Sequence, residues 1–164
     1  MTNKLTHTRN SLPEKCRTQV VSILQSKLAD AIDLMMQAKQ AHWNVKGPHF
    51  MTLHQLFDHV FQETQKSVDL IAERIMQLGG KARGTVRAAS NESSLPEYSL
   101  DISNGVNHIA ELAHALSFFG DLLRTDILSV TELGDSSSAD ILTEIARRAD
   151  LSLWFVEAHE QTKK

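Results

Sequence analysis

Cysteine is almost absent from the 164-residue chain: Cys16 is alone. A lone cysteine excludes an intramolecular disulfide and any zinc site built from several thiolates. Glycine and proline are scarce, at 7 and 3 positions, which excludes collagen-like and proline-rich architectures. Aromatic residues make up 5% of the chain. No segment alternates cleanly between apolar and polar residues, so strand signals are weak. No apolar run approaches the roughly 18 residues needed to span a bilayer, and the polar N-terminal MTNKLTHTRN lacks the apolar core of a signal peptide. The expectation is a cytoplasmic protein. The net charge is only −3, which argues against a whole-protein basic field that would attract nucleic acid.

What is present is enough for one well-buried domain. Apolar residues are 41% and charged residues 23% of the chain, and a chain this long buries roughly 70% of its unfolded surface. Eight histidines stand out and raise the question of whether some are ligands. The periodicity is helical throughout. Ser11 and Glu14 have the spacing of a capping box, with Pro13 in the first turn. Val20, Ile23, Leu24, Leu28, Ala31, Ile32 and Met35 follow at steps of three and four, and predict a first helix to about Trp43. Residues 44–48 read as a turn. A second helix runs from near His49 to the Gly79-Gly80 stop signal. A long Ser-, Asn- and Arg-rich connection over residues 81 to about 101 has room for one short helix. A third helix starts at 101–103 and ends before Gly134 and the serines at 136–138. A fourth spans about Ala139 to Glu160.

The predicted fold is all-α. Four amphipathic helices joined by short, long and short links form a ferritin-like four-helix bundle, with a short extra helix in the long connection. Residues 1–10 are expected as a short flexible tail and 11–164 as the bundle domain.

The second helix carries His54, Asp58, Asp69 and Glu73 within an arc of roughly 100°. Imidazole and carboxylate together suit iron or a related divalent metal better than calcium. One straight helix cannot bring all four to one ion, because Asp58 and Asp69 are about 16 Å apart along the axis. The pairs are therefore half-sites. An antiparallel copy crossing near residues 63–64 would set 54/58 of one chain against 69/73 of the other, giving two equivalent sites per two-fold dimer. His42, at the end of the first helix, could join the half containing His54. The same residues also admit a plainer reading, in which Asp69 and Glu73 mark a solvated face and His54 and Asp58 a local hydrogen-bonded pair. Glu111 and His114 form a Glu-x-x-His element of the kind used in di-iron sites inside one bundle, but a second copy is missing, and a chance surface pair explains it better.

The segments KQAHWNVKG (39–47), LHQLFD (53–58) and DLIAERIMQLGGKARGT (69–85) resemble the Dps family, the DNA-binding proteins from starved cells or mini-ferritins. YSLDI (98–102), SADIL (138–142) and LWFVE (153–157) extend the likeness over nearly the whole chain. The resemblance implies a homo-dodecameric shell built from two-fold dimers, with ferroxidase sites at the dimer interfaces. It implies His42, His54 and Asp58 as ligands from one subunit and Asp69 and Glu73 from its mate, with Trp43 beside the site and Lys39 orienting carboxylates. The implied chemistry is oxidation of Fe(II) to Fe(III), preferably by hydrogen peroxide, with ferric oxide stored in the cavity and protection from oxidative damage. Zinc is a possible substitute for iron. By the same resemblance Asp135, Asp140 and Glu144 lie near an acidic iron-entry pore, although Asp135 or Asp140 could equally cap the fourth helix. The basic residues available for DNA are few: Lys4, Arg9, Lys163 and Lys164. DNA binding is expected to be weak or absent, with nucleoid association only if DNA is held. The alternative function is a non-catalytic DNA-condensing or structural shell whose metal site is idle or filled with zinc.

Overall fold

The computed structural model describes residues 5–160. It contains five helices: α1 (Glu14–Asn44), α2 (Phe50–Gln77), α3 (Val86–Glu92), α4 (Gly105–Glu132) and α5 (Ser136–Glu157). α1 packs chiefly on α2 and α4 on α5, while α1 also meets α3 and α4, and α2 meets α5. The short α1–α2 link is tied to the start of α4, since Lys46 N donates to the Ser103 carbonyl at 2.8 Å. The start of α1 meets the end of α4, where Cys16 Sγ lies 3.1 Å from the Leu133 carbonyl oxygen. α4 thus begins at the end of the bundle opposite to where α2 stops, which is why the connection between them must cross the bundle's length. This is the ferritin-like arrangement with α3 in the crossover.

Several local expectations shift. α1 begins at Glu14 with Pro13 as its cap residue, and no side chain caps it, so the Ser11–Glu14 box does not form. α5 begins at Ser136 rather than Ala139, because Asp135 accepts a hydrogen bond from Ser138 N at 3.0 Å and makes the serine run its first turn. α4 starts at Gly105 under an Asn104 cap. From Leu5 onward the expected loose tail lies against the bundle: Thr6 N donates to the Gly79 carbonyl at 2.8 Å, and Leu5 and Leu12 pack on the core. Gly79 has φ +83°, and a Cβ there would come within 2.6 Å of the Thr6 carbonyl oxygen, so the turn after α2 requires glycine.

The core runs along the bundle axis through Leu24, Leu28, Phe57, Ile71, Leu112, Phe119, Leu123 and Leu142, none more than 1% exposed. α1 buries polar residues as well, because the crossover covers its outer side. Gln25 exchanges hydrogen bonds with the backbone of Arg83, at 3.0 and 2.9 Å. Asp30 accepts from Ser94 N and Oγ, Asp33 from Ser93 Oγ, and Gln37 donates to the Pro96 carbonyl. These bonds satisfy polar groups that burial would otherwise penalise.

Candidate metal centre

The end of α1 and the start of α2 hold His42 and His54 face to face, with ring centroids 3.6 Å apart and planes inclined by 22°. Their hydrogen bonds cross. His42 Nδ1–H donates to the His54 carbonyl at 2.7 Å, and His54 Nδ1–H donates to the His42 carbonyl at 2.8 Å. A carbonyl oxygen can only accept, so each Nδ1 must carry a proton. Each neutral ring then presents its lone pair at Nε2, the form a metal requires. Phe50 flanks His54, with ring centroids 5.1 Å apart.

One turn along α2, Asp58 is held by Lys39 Nζ on one oxygen, and Gln62 Nε2 donates to the other at 2.9 Å. The Lys39 hydrogen bond draws the Asp58 carboxyl below the usual carboxylate range, against the opposing pull of partial burial. Lys39 itself is steadied over the Phe61 ring, 4.4 Å from its centroid. Trp43, beside His42, is 61% exposed in the single chain. His42, His54, Asp58 and Lys39 therefore share one surface, as the sequence suggested.

Asp69 and Glu73 lie on exposed turns of the same helix, without hydrogen bonds or ion pairs among the described residues. Their neighbour Arg74 turns the other way, into a buried knot. Its guanidinium donates to both Asp135 oxygens at 2.9 and 3.1 Å and to Ser138 Oγ at 2.8 Å. Asp69, the nearer of the two carboxylates, stays about 16 Å from Asp58 along the axis. Among the described residues, no group of three or more His, Cys, Asp or Glu side chains comes together to hold a metal within one chain. The donor set fits a first-row divalent ion by type, but one chain supplies it only as two separated halves.

Asp135 is the correction among the candidate pore residues. It is 2% exposed, and its oxygens are engaged by Arg74 and Ser138, so it is a helix cap and a buried ion-pair partner rather than a group facing a channel. Asp140 is exposed one turn into α5. Glu144 is half-buried and accepts from Arg148, which also donates to Glu63 at 2.9 Å. Arg9 is exposed, whereas Lys4, Lys163 and Lys164 lie outside the described residues. Sequence reasoning gave no role to His108, which the fold buries against Tyr98. Its register on the inner face of α4 was the available signal.

The family model described as a ferritin-like domain matches residues 21–164. A DNA protection during starvation protein of Agrobacterium fabrum is 42% identical over 156 residues, covering 95% of this chain and 96% of that protein. The solved structure of DpsC from Streptomyces coelicolor superposes with a TM-score of 0.93 at 26% identity, over 98% of this chain and 94% of that one. Mycobacterium smegmatis Dps in its tetragonal form gives 0.89 at 30% identity, over 94% of each chain. The molecule is thus a ferritin-like helical bundle by fold. Within that class, the chain belongs to the Dps, or mini-ferritin, family. Membership supports a general role in iron oxidation and storage. Among the described residues no helix is long and apolar enough to cross a membrane.

Proposed function

We propose that the protein is a ferroxidase mini-ferritin that oxidises Fe(II) to Fe(III), preferably with hydrogen peroxide, at sites shared between two subunits, and stores ferric oxide inside a dodecameric shell. The observation that carries this reading is the crossed pair of His42 and His54. Their backbone hydrogen bonds engage both Nδ1 atoms and leave the two Nε2 atoms for a metal, one helical turn before Asp58. Asp69 and Glu73 of a two-fold mate are the natural completion, because an antiparallel copy crossing near residue 63 sets them opposite that half.

Fe(II) is the substrate here. Carboxylate donors favour Fe(III) over Fe(II) and so promote oxidation. His42 and His54 bind through Nε2. Asp58, kept ionised by Lys39 while the site awaits iron, gives a charged oxygen, and Asp69 and Glu73 supply two more. Two Fe(II) ions together deliver both electrons that peroxide needs to become water. Asp140 and Glu144 form the acidic approach through which cations are drawn inward. The net charge of −3 per chain becomes about −36 on twelve copies, which attracts iron and opposes DNA. DNA binding is weak and strongly salt-dependent, with Arg9 its contact among the described residues.

The test is anaerobic Fe(II) loading followed by peroxide, read by absorbance. Asp58→Ala and Glu73→Ala should each lose rapid oxidation, and co-assembling the two variants should restore a fraction of intact sites. Wild-type rates in both variants would sink the assignment. Restoration failing while each variant assembles normally would sink the shared-site geometry.

A further inference from the structure

Tyr98 is the only tyrosine in the chain, and it is 7% exposed. Its hydroxyl lies 2.7 Å from Nδ1 of His108, which is 1% exposed. The two rings are nearly parallel, inclined by 17° with centroids 6.1 Å apart. Burial pushes the phenol far above its usual range, and Glu111 adds to the rise. Burial pulls the His108 imidazole down, so the ring is neutral at pH 7. A neutral imidazole facing a phenol is a ready proton acceptor.

The other histidine nitrogen, Nε2, is the one buried side-chain polar atom without a hydrogen-bond partner among the described residues. An unsatisfied buried polar atom costs about 1–3 kcal/mol. The pair's position is informative. The His108 ring is 6.3 Å from that of Phe57, which is fully buried and directly precedes Asp58. The backbone of Asn44, two residues beyond His42, lies close enough to favour a proton on His108. His108 therefore touches one residue adjacent to Asp58 in the chain and the backbone two residues beyond His42.

We infer that Tyr98 and His108 form a one-electron donor to the iron site, in which Tyr98 gives an electron towards the site and its hydroxyl proton to Nδ1 of His108. The inference rests on the ferroxidase reading above. When a site holds a single Fe(II), peroxide takes one electron, its O–O bond breaks, and hydroxide and a hydroxyl radical result. Tyr98 then supplies the second electron. The phenol becomes a neutral phenoxyl radical, His108 becomes imidazolium, and the hydroxyl radical becomes hydroxide. The next Fe(II) reduces the phenoxyl radical, and His108 returns the proton. With two protons from solvent the sum is two Fe(II) and one peroxide giving two Fe(III) and two waters. The pair holds the missing oxidising equivalent on a buried ring until the second iron arrives.

A single tyrosine makes the test clean, because any phenoxyl signal belongs to Tyr98. The first arm uses iron-free protein and flash-generated tris(bipyridine)ruthenium(III) as oxidant, with phenoxyl absorbance as readout. The second mixes peroxide with protein carrying one Fe(II) per site and reads freeze-quenched electron paramagnetic resonance, with ring-deuterated tyrosine narrowing the signal. Wild-type protein should give phenoxyl in both arms, slower in D2O. Tyr98→Phe should give none and should release more hydroxyl radical to a spin trap in the iron arm. His108→Gln, which keeps a hydrogen-bonding side chain but removes the base, should slow phenoxyl formation by about 100-fold or more and abolish the isotope effect. Normal iron oxidation without phenoxyl in either arm overturns the inference and leaves the ferroxidase reading standing. An unchanged rate in His108→Gln also overturns it. Phenoxyl in the photochemical arm with no iron oxidation at all overturns the ferroxidase reading instead, and with it the pair's role towards iron.

Discussion

The two ends of α2 are built on opposite plans. At the start, His54 and Asp58 are held by named contacts: a crossed histidine pair, a lysine and a glutamine. At the end, Asp69 and Glu73 are left bare, while their neighbour Arg74 is buried against Asp135. The first end is organised by its own chain. The second leaves its two carboxylates free and places its rigidity on the other side of the helix. A site shared across a two-fold axis needs this asymmetry, because the half that arrives from the partner must present unpaired carboxylates on a helix that does not move.

The sharpest way to break the comparison is to cut the knot behind Asp69 and Glu73. Asp135→Ala leaves the Arg74 guanidinium buried without its partner, and should destabilise the subunit by about 3–5 kcal/mol in chemical denaturation. Next come the ligands themselves. Asp58→Ala and Glu73→Ala should lower the peroxide-driven iron oxidation rate by more than the roughly 10–100-fold typical of outer-shell partners. The denaturation midpoint of Glu73→Ala should stay near wild type, since that side chain is exposed, and Asp58→Ala should lose only the modest contribution of its half-exposed pair with Lys39. A large stability loss in either would erase the proposed separation of scaffold from site. A smaller effect is expected at the turn ending α2. Gly79→Ala must adopt φ +83° beside the Thr6 carbonyl and should cost at least about 1–2 kcal/mol, read as a lower Tm with the residues before α1 released to proteolysis.

The smallest effect lies midway between the two ends. Lys66, and then Arg148, lower the Glu63 pKa below its ordinary value. A group depressed in the folded state contributes stability above its unfolded pKa of about 4.3, and loses it as pH falls through the folded value. Glu63→Gln should lower Tm modestly at neutral pH, where the ionised group contributes, and flatten that acid limb so that the two profiles converge at low pH. An unaltered acid limb would remove Glu63 from the account.

Much of this was readable in the chain. Apolar residues at steps of three and four locate four long helices, and the Gly79-Gly80 stop and the polar 81–101 stretch define the crossover. The register of His54, Asp58, Asp69 and Glu73 along α2 was equally legible, since a helix converts sequence spacing directly into rotation and rise. Helix ends were less so. Ser11 and Glu14 have the spacing of a cap that Pro13 displaces, and Ser136–Ser138 read as a breaker until Asp135 caps them. Asp135 itself illustrates the limit, because the sequence left a pore residue and a helix cap both open, and only the distant Arg74 and its burial decided for the cap.

By itself, then, the sequence determined the helix count, the order of short and long links, and the fact that His54/Asp58 and Asp69/Glu73 cannot share one ion within a chain. These are local quantities, set by periodicity and by fixed helical geometry. The tertiary structure decided which nitrogen of His42 and His54 faces outward, which carboxylate Lys39 holds, and that Tyr98 meets His108 in the interior. Each of these depends on two segments meeting, and the direction of a hydrogen bond between them is fixed only once the backbone carbonyls and side chains are in place.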